Sequence, residues 1–555
     1  MKKIFSMILA SVALSSCVDT VILPENKILD EDYWQKESEV NAVVAQAYNQ
    51  LRDESVIRSM IVWADFRSDE LKIASDFKTV ESYTNDLSEI YSWNIKQTNS
   101  FTKWTSFYSC INYCNLVLDK AAGVMELDPD YTIGSYQTTV AQMKALRAFC
   151  YFYLVRVFRD IPVMPDALLN ASDEMNLSQV APATVLAQCI ADLEEVESFA
   201  PRNNAYGDSR DRGFFNKDGI DALLADIYLW RASINHDAND YQKCVDYCDK
   251  VIAAKKAAHV IDERAVRPED REEKDYYLSD YMDFYNDIFG ENGQNAEESI
   301  LELQFKIDGM SNPALYQMYY GYRNANSGYG YMKTTKYYGD YSNASDPSNR
   351  NVFKASTDQR IYEYCFDAND GIDEHAVRKF VGKTTAGDGV SQDATSGSIS
   401  YQQNWILYRL TDVMLMKAEA LVQLDRPEEA FELAKVVNAR AVSSGTSYLR
   451  YDRNAMEGMI LLERARELCF EGKRYFDLMR YNFRHMNGIQ YDKRLSEQSS
   501  FPINSEEFLS WVLAKYNDAT AMKSKLPDER FLYMPLNEDE LKVNTSLIQN
   551  SAYNK

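Results

Sequence analysis

The stretch "LLERARELCFEGKRYFDLMR" at residues 461–480 mixes charged and apolar side chains at helical spacing. The charged side chains recur every three or four residues and so share one side of a helix. They are Glu463, Glu467, Glu471, Arg474, Asp477 and Arg480. Large apolar residues surround them, so we expect this face to be half-buried, where removing one ion-pair partner costs about 3–5 kcal/mol. The segment is therefore predicted to be structural and not a ligand site.

Amphipathic helices extend from this segment in both directions along the chain. Gly and Pro number only 21 and 13 of 555 residues, which favours long helices over a turn-rich β fold. Apolar residues recur at spacings of three and four in blocks at residues 38–53, 104–125, 139–158, 184–199, 217–234, 240–256, 405–424 and 427–442. The last four blocks form two pairs that resemble tetratricopeptide units, which stack into a curved array. We therefore predict a mainly α fold with a helical scaffold.

A long irregular segment interrupts the helical pattern between residues 265 and 403. It contains a strand-like "ESILELQF" at 298–305, a tyrosine-rich loop at 316–341 and a Gly/Ser/Thr-rich stretch at 382–400. Long irregular segments in compact proteins are often functional. We therefore predict an N-terminal helical part at 17–264, a partly β insertion at 265–403 that forms the ligand site, and a C-terminal helical part at 404–555.

The N-terminus has the layout of an export signal. Residues 1–16 carry two lysines, an apolar run and then small residues, and the run is too short to span a bilayer. "LSSC" at residues 14–17 looks like a bacterial lipobox, in which Cys17 is lipidated and becomes the mature N-terminus. Several acyl chains on one cysteine give stable anchoring. We expect removal of 1–16, a lipid on Cys17, and no transmembrane helix later in the chain.

Charge and cysteine spacing exclude some classes of partner. The formal net charge of −24 argues against nucleic acid, because a phosphate backbone requires a basic surface. Cys110 with Cys114, and Cys244 with Cys248, are spaced to share a helix face, but no histidine is near them in sequence. We interpret these thiols as small core residues and expect no metal site there. Their disulfide state stays open.

The 461–480 segment also carries a resemblance to a known family. Its ER, EL, FEG, R and DL-R elements are close to the pattern of SusD/RagB proteins, the surface lipoproteins that capture nutrients for outer-membrane import in Bacteroidetes. Further matches lie, in order along the chain, at residues 104–118, 145–163, 408–421, 436–441 and 549–553. Two positions depart from the pattern: Arg159 stands where the family usually has Gly, and Leu536 interrupts a "PIP" signature.

The resemblance implies a fold, a task and a location. It implies that residues 17–555 form a single SusD-like domain of tetratricopeptide-like helix pairs, anchored by lipid on the outer face of the outer membrane. Family members bind oligosaccharides and close like a lid over a SusC-like TonB-dependent transporter, so we expect a glycan-binding protein and not an enzyme. A sugar ring has an apolar face and a rim of hydroxyls, which suits an aromatic platform with polar neighbours.

The tyrosine-rich loop supplies both kinds of residue for such a site. Glycines beside the rings allow sharp turns that leave the rings uncovered. Trp93 lies in a segment that family members often use near the ligand. The predicted ligand-binding residues are Trp93, Tyr320, Tyr322, Arg323, Asn324, Tyr329 and Tyr331, with Asn326 as a further polar partner. Trp63 and Trp104, which lie in helical or motif segments, are predicted to be core residues.

Two other functions remain open from the sequence. RagB-related family members serve peptide uptake, and the acidic surface would favour basic peptides. A glycosidase using two carboxylates is the alternative of another class, but 84 acidic residues make a suitable pair uninformative. No cofactor is expected. The resemblance allows a structural calcium, and residues 283–295 offer oxygen ligands for one. Because they lack EF-hand spacing, we interpret this stretch as an acidic solvated loop and keep calcium as the alternative.

Overall fold

A computed structural model describes most of the chain. The residues described are 33–75, 83–168, 176–202, 205, 207–258, 276, 278–279, 284–290, 295–305, 309–319, 330–341, 350–365, 374–380, 402–442 and 449–554. The fold within these ranges is mainly α, as the helical periodicity predicts.

Helices dominate the part of the chain before residue 259. They are α1 Glu37–Leu51, α2 Glu54–Ile61, α3 Thr84–Tyr91, α4 Thr105–Leu127, α5 Ile133–Phe158, α6 Pro182–Val196, α7 Arg210–Gly213, α8 Lys217–Asn235 and α9 Ala238–Ala258. All six helical blocks predicted here from periodicity coincide with helices. A π-helical turn, Val62–Phe66, continues α2, and a 3₁₀ turn, Ser100–Thr102, precedes α4.

Short helices follow up to residue 364, and longer helices resume at residue 410. They are α10 Phe284–Ile288, α11 Pro313–Tyr319, α12 Lys336–Gly339, α13 Arg360–Tyr364, α14 Leu410–Gln423, α15 Pro427–Ala441, α16 Met456–Glu467, α17 Arg474–His485, α18 Glu506–Leu513, α19 Thr520–Lys523 and α20 Glu538–Val543. The described strands are β1 Leu71–Ile73, β2 Ile161–Pro162, β3 Gln179–Val180, β4 Ser299–Leu303, β5 Met332–Thr334 and β6 Trp405–Arg409.

Consecutive helices pack side by side as hairpins. Helix α8 packs on α9, α9 on α14, and α14 on α15, while α1, α4, α5 and α6 pack in a second series. Left-handed residues make two of the tight connections: His236, with φ 53°, ends α8, and Asp425, with φ 58°, lies between α14 and α15. This arrangement of paired helices is the tetratricopeptide-like scaffold that the sequence predicts.

The strands form three small antiparallel pairs within the described ranges: β1 with β5, β2 with β3, and β4 with β6. The strand predicted at 298–305 is confirmed as β4. Residues 405–409, which we predicted as the start of a helix, are instead strand β6, because Trp405 and Ile406 pair with Leu303 and Glu302 across a gap of about one hundred residues. Local periodicity carries no information about such a distant partner.

The 461–480 segment forms two helices with a turn between them, and not one continuous helical face. Helix α16 ends at Glu467 and α17 begins at Arg474. Phe470 (φ 65°) and Gly472 (φ 73°) both take left-handed backbone conformations in the turn. A Cβ atom on Gly472 would lie 2.9 Å from the ring of Trp405, so both backbone conformation and space favour glycine there.

The charged residues of this segment are buried, as predicted, but their partners come mostly from elsewhere in the chain. Glu467 accepts hydrogen bonds from Arg360, Arg409 and Arg440. Burial alone would raise the pKa of Glu467, but the guanidiniums of Arg440, Arg409 and Arg360 outweigh it and hold this pKa below its ordinary range. The network therefore joins helices α13, α15 and α16 to strand β6, which is a structural role.

Asp477 makes the second ionic connection. It accepts from Nε and one Nη of Arg464, both at 2.9 Å, and from Arg480 at 2.7 Å. The Arg480 contact is the three-residue spacing that the sequence predicts on α17. Arg480 also donates to Glu419 of α14 at 2.8 and 2.9 Å. These bonds dock the C-terminal helices on each other.

Candidate functional site

The tyrosine-rich loop is described at its two ends. Tyr320, Tyr322, Arg323, Asn324, Asn326 and Tyr329 lie outside the described residues. Helix α11 ends at Tyr319, and the chain returns at Gly330 and Tyr331, whose amides donate to the carbonyl of Gln317 at 3.2 and 3.0 Å. The residues that flank 320–329 therefore lie close together, and we call residues 317–319 and 330–331 the loop base.

Tyr319 fixes the loop base to the core. Its hydroxyl lies 2.8 Å from Asp65 Oδ2 and 3.2 Å from the carbonyl of Phe470, in the turn between α16 and α17. Asp65 also accepts from the amide of Gly472 at 3.0 Å. Burial raises the pKa of Asp65 to about 7, although the bonds from Tyr319 and Gly472 act in the opposite direction. One buried carboxyl thus joins the α16–α17 turn to the loop base.

The structure places Trp93 inside the protein. Its side chain is 2% exposed, the Arg67 guanidinium lies 5.0 Å from its ring, and its Nε1 donates to the Tyr516 hydroxyl at 3.0 Å. A direct contact between this ring and a ligand requires a conformation other than this one. Trp63 and Trp104 are buried, which confirms their prediction as core residues.

Tyr331 is also buried, and it connects the loop base to a neighbouring ring. It is 5% exposed and meets Tyr83 edge-on, with ring centres 5.9 Å apart and planes at 76°. Its carbonyl accepts from the amide of Ala74 at 3.1 Å, and this bond lies next to the last residue pair of β1 and β5. In this position Tyr331 supports Tyr83, which itself is half-buried.

A cavity of about 410 Å³ opens beside Tyr83. This volume is within the range of about 300–1,000 Å³ typical of small-molecule sites. The cavity lies between the end of α1, helix α2, the Ser100–Thr102 turn and the first turns of α4. Its lining residues are Gln50, Asp53, Ser55, Val56, Arg58, Ser59, Tyr83, Ser100, Phe101, Lys103, Thr105, Ser106, Phe107 and Ser109.

Arg58 links this cavity to the loop base. Its guanidinium lies 4.8 Å from the centre of the Tyr83 ring and donates to the Tyr83 hydroxyl at 2.7 Å. It also bonds to the side chains of Gln317 and Glu54. Burial lowers the pKa of Arg58, with Tyr83 among the groups that oppose this shift. The cavity wall and the loop base are therefore connected through Arg58.

The cavity offers uncharged hydrogen-bonding groups. No described residue forms a hydrogen bond with the hydroxyls of Ser59, Ser106 and Ser109 or with the side-chain amide of Gln50. A hydroxyl can donate and accept, as can an amide, so these groups suit a ligand rich in hydroxyls. Tyr83 adds an aromatic side chain with a polar tip.

Sequence reasoning did not find this cavity. Its hydroxyls come from α2, the Ser100–Thr102 turn and α4, which are separated by up to about fifty residues in the sequence. Single serines at the ends of helices are common as capping residues and carry no signal of a shared site. Among the residues that line the cavity, Tyr83, directly before α3, is the one half-exposed aromatic side chain.

Metal ligation finds no support in the described ranges. No group of three or more His, Cys, Asp or Glu side chains there is arranged to hold a metal ion. Of the acidic stretch 283–295, for which calcium is the alternative, residues 283 and 291–294 lie outside those ranges. Cys110, Cys114, Cys244 and Cys248 are buried, as the packing interpretation predicts, and the structure gives them free thiols. Burial raises the pKa of Cys110 well above its ordinary value.

Comparison with known proteins decides the family. A model described as the SusD family matches residues 284–553, and one described as starch-binding, associating with the outer membrane, matches residues 25–229. The chain belongs to the SusD/RagB family. SusD-like protein P38 from Formosa agariphila is 25% identical over 519 residues, covering 88% of this chain and 94% of that protein.

Solved SusD structures share the fold. A SusD superfamily protein from Bacteroides fragilis has a TM-score of 0.68 at 18% identity, covering 94% of this chain and 100% of that one. Surface glycan-binding protein A from Bacteroides uniformis has a TM-score of 0.65 at 18% identity, with the same coverage. Membership of the SusD family associates this chain with glycan binding and with the outer membrane.

Among the described residues, no helix combines the length and the apolar composition that crossing a bilayer requires.

Proposed function

We propose that this protein is a cell-surface lipoprotein that captures oligosaccharides and delivers them to a SusC-like TonB-dependent transporter in the outer membrane. The observation that carries the glycan part is the cavity beside Tyr83, with its unpaired hydroxyls and its connection through Arg58 to the loop base. The family models and the glycan-binding neighbour from Bacteroides uniformis support the same ligand class.

The proposed site has two parts. The cavity supplies hydroxyls for the rim of a sugar, and Tyr320, Tyr322 and Tyr329, with Arg323 and Asn324, supply an aromatic platform with polar partners. Rings stack on the apolar face of a sugar while hydroxyls and amides bind its edge. Tyr331 takes part from below, through its edge contact with Tyr83.

The proposed task is binding and not bond cleavage. Residues 17–555 would act as one SusD-like domain, held on the outer surface by lipid on Cys17 after removal of 1–16. This domain would close like a lid over the transporter, as in the family that the sequence resembles. Weak sites on such a lid gain avidity when several units of one polysaccharide bind to a cell at once.

A binding array tests the ligand class. The chain from Val18 is applied to immobilised oligosaccharides and peptides, and bound oligosaccharides are then assayed for cleavage. We expect binding to one group of oligosaccharides, without turnover. Binding to peptides alone would replace this proposal with RagB-like peptide capture, and turnover abolished by a single Asp or Glu substitution would make the protein a glycosidase.

Co-purification tests the partner. The tagged full-length protein is isolated from detergent-solubilised outer membranes, and the proteins that elute with it are identified by mass spectrometry. We expect a large β-barrel transporter at a stoichiometry near one to one. Isolation of the protein alone, under detergent conditions that preserve known lipoprotein–transporter pairs, would contradict this part of the proposal.

A further inference from the structure

We infer that the cavity beside Tyr83 selects uncharged sugars and discriminates against sugars that carry carboxylate or sulfate groups. The inference rests on the proposed function, since it assigns a substrate class to the same site. Three observations carry it: the charged side chains at the cavity are paired within the protein, the unpaired side chains are uncharged, and the surrounding charge is negative.

The charged groups of the cavity already have partners. Arg58 contacts Glu54, Tyr83 and Gln317. Asp53 accepts from the amide of Ser55 at 2.9 Å, which caps the start of α2. An ionised ligand would therefore have to compete with an existing ion pair, and a charge left without a partner in a cavity is costly.

Lys103 is the second cation at the cavity, and it lies at the exposed rim. Its ammonium is 3.6 Å from Asp539, and the two side chains are 40% and 42% exposed. Solvent screens a charge at such a position, so it adds little to the affinity for an anion. The carboxylates of Glu54, Asp53 and Asp539 offset the charges of Arg58 and Lys103. The cavity therefore carries no net positive charge from its described side chains.

The groups that remain for a ligand are neutral. The hydroxyls of Ser59, Ser106 and Ser109 and the Gln50 amide each donate and accept. A sugar hydroxyl also donates and accepts, so either partner in each contact can be the hydrogen-bond donor. A carboxylate or sulfate only accepts, and would leave the acceptor atoms of the cavity without donors.

The charge of the whole chain acts in the same direction. At a formal net charge of −24, the protein repels anions during approach, and an anionic glycan requires a local positive surface to overcome this. The described cavity provides no such surface. Neutral oligosaccharides are unaffected by this field, so their binding should depend little on salt.

The experiment uses the chain from Val18 with two sets of probes. The neutral set contains malto-, manno-, xylo- and cello-oligosaccharides, and the acidic set contains oligogalacturonides, alginate oligosaccharides, sulfated chondroitin oligosaccharides and sialyllactose. Dissociation constants are measured by calorimetry at 50 and 500 mM NaCl. We expect the tightest ligand in the neutral set, with less than a threefold change between the two salt concentrations.

Variants then locate the binding. Ser106→Leu fills the cavity from the first turn of α4, Ser106→Ala only removes the hydroxyl, and Ser510→Leu places the same apolar side chain at an exposed position of α18. We expect affinity for the neutral ligand to fall at least tenfold in Ser106→Leu and severalfold in Ser106→Ala. Ser510→Leu should bind like the original protein, and all three should melt at similar temperatures.

The outcomes separate this inference from the proposed function. Neutral glycan binding that persists in both Ser106 variants would overturn the assignment to the cavity but leave the proposed function standing. A tighter, salt-sensitive affinity for the acidic set would overturn the substrate class alone. If Ser106→Leu fails to fold, Ser106→Ala decides the location. Absence of binding to every oligosaccharide would overturn both the inference and the function.

Discussion

Arg159 occupies a backbone position that suits glycine. Its φ of 68° is in the left-handed region, and this is where the family pattern has Gly. The side chain compensates for the strain: it pairs with Asp160 at 2.6 Å and donates to the carbonyls of Gln490 and Lys493 at 2.8 and 3.0 Å. The departure noted in the sequence thus places a fully buried guanidinium where it joins α5 to the region after α17.

Two substitutions at this position separate strain from hydrogen bonding. Arg159→Gly and Arg159→Ala both lose the guanidinium contacts, but only glycine accepts this backbone conformation without strain. We expect Arg159→Ala to be less stable than Arg159→Gly by about 1 kcal/mol, and both to be less stable than the original. Urea unfolding measures the difference; equal stability of the two variants would mean that the backbone at 159 relaxes.

The buried carboxyl of Asp65 predicts a pH dependence of stability. In the folded protein its pKa is about 7, compared with an ordinary value of 3.8. A raised pKa in the folded state adds stability that is complete below 3.8 and is lost as the pH rises through about 7. Glu70, whose pKa burial also raises well above its ordinary value, contributes in the same direction.

Asp65→Asn removes the Asp65 contribution while keeping the size of the side chain. We expect the original protein to lose more unfolding free energy between pH 5 and pH 8 than the variant, by about 2–3 kcal/mol. Urea unfolding at the two pH values measures this difference. Parallel pH profiles for the two proteins would show that the Asp65 carboxyl ionises normally in the folded state.

At the scale of elements, the α16–α17 unit explains why the 461–480 segment marks the fold. Its carboxylates hold arginines from α13, α15 and β6 in the interior, and its turn holds Asp65. The turn thereby reaches Tyr319 at the loop base, although none of its own residues lines the cavity beside Tyr83. The segment positions the proposed site without being part of it.

Asp477→Ala tests this structural role. The substitution leaves Arg464 and Arg480 buried without one carboxylate, so we expect a loss of about 3–5 kcal/mol in unfolding free energy. Glu429→Ala, which breaks a surface pair with Arg426, is the matched control and should change stability by less than about 1 kcal/mol. An Asp477→Ala protein with unchanged melting temperature and no glycan binding would make the segment a ligand site.

The elements also show what periodicity can and cannot predict. Long helices such as α4, α5 and α8 are determined by local apolar spacing, and their positions agree with the sequence. Strand β6 depends on pairing with distant β4, and the turn at Phe470 depends on tertiary contacts with Asp65 and Glu70. The partners of Glu467 likewise come from α13, α15 and β6, which no spacing within 461–480 indicates.

The candidate site also has one part that the sequence indicates and another that only the packing of the fold creates. An unusual density of tyrosines at 316–341 is visible in the sequence, and the fold places Tyr331 of the loop base against Tyr83. The cavity itself is assembled from single serines on separate helices, which only the packing brings together. Burial of Trp93 against Arg67 is equally a result of packing, and the motif near it does not indicate which way the ring faces.

At the scale of the whole molecule, anchoring should depend on one residue. If Cys17 carries the lipid, Cys17→Ala should remove labelling by an alkyne fatty acid and shift the protein from the membrane fraction to the soluble fraction. The melting temperature should stay the same, since Cys17 precedes all the described helices and strands. Membrane fractionation and fatty-acid labelling provide the measurement. A Cys17→Ala protein that stays membrane-bound and labelled would contradict the proposed anchor.

The proposed binding mode requires a platform of tyrosine rings beside the cavity. The most direct test compares the chain from Val18 with a variant carrying Tyr320→Ala, Tyr322→Ala and Tyr329→Ala, by calorimetric titration with the tightest oligosaccharide from the array. Tyr331 is left unchanged because it is buried against Tyr83, and its truncation would lower stability. We predict at least a tenfold loss of affinity with a nearly unchanged melting temperature. Unchanged affinity in the triple variant would contradict the proposal, because the tyrosines would then have no part in holding the ligand.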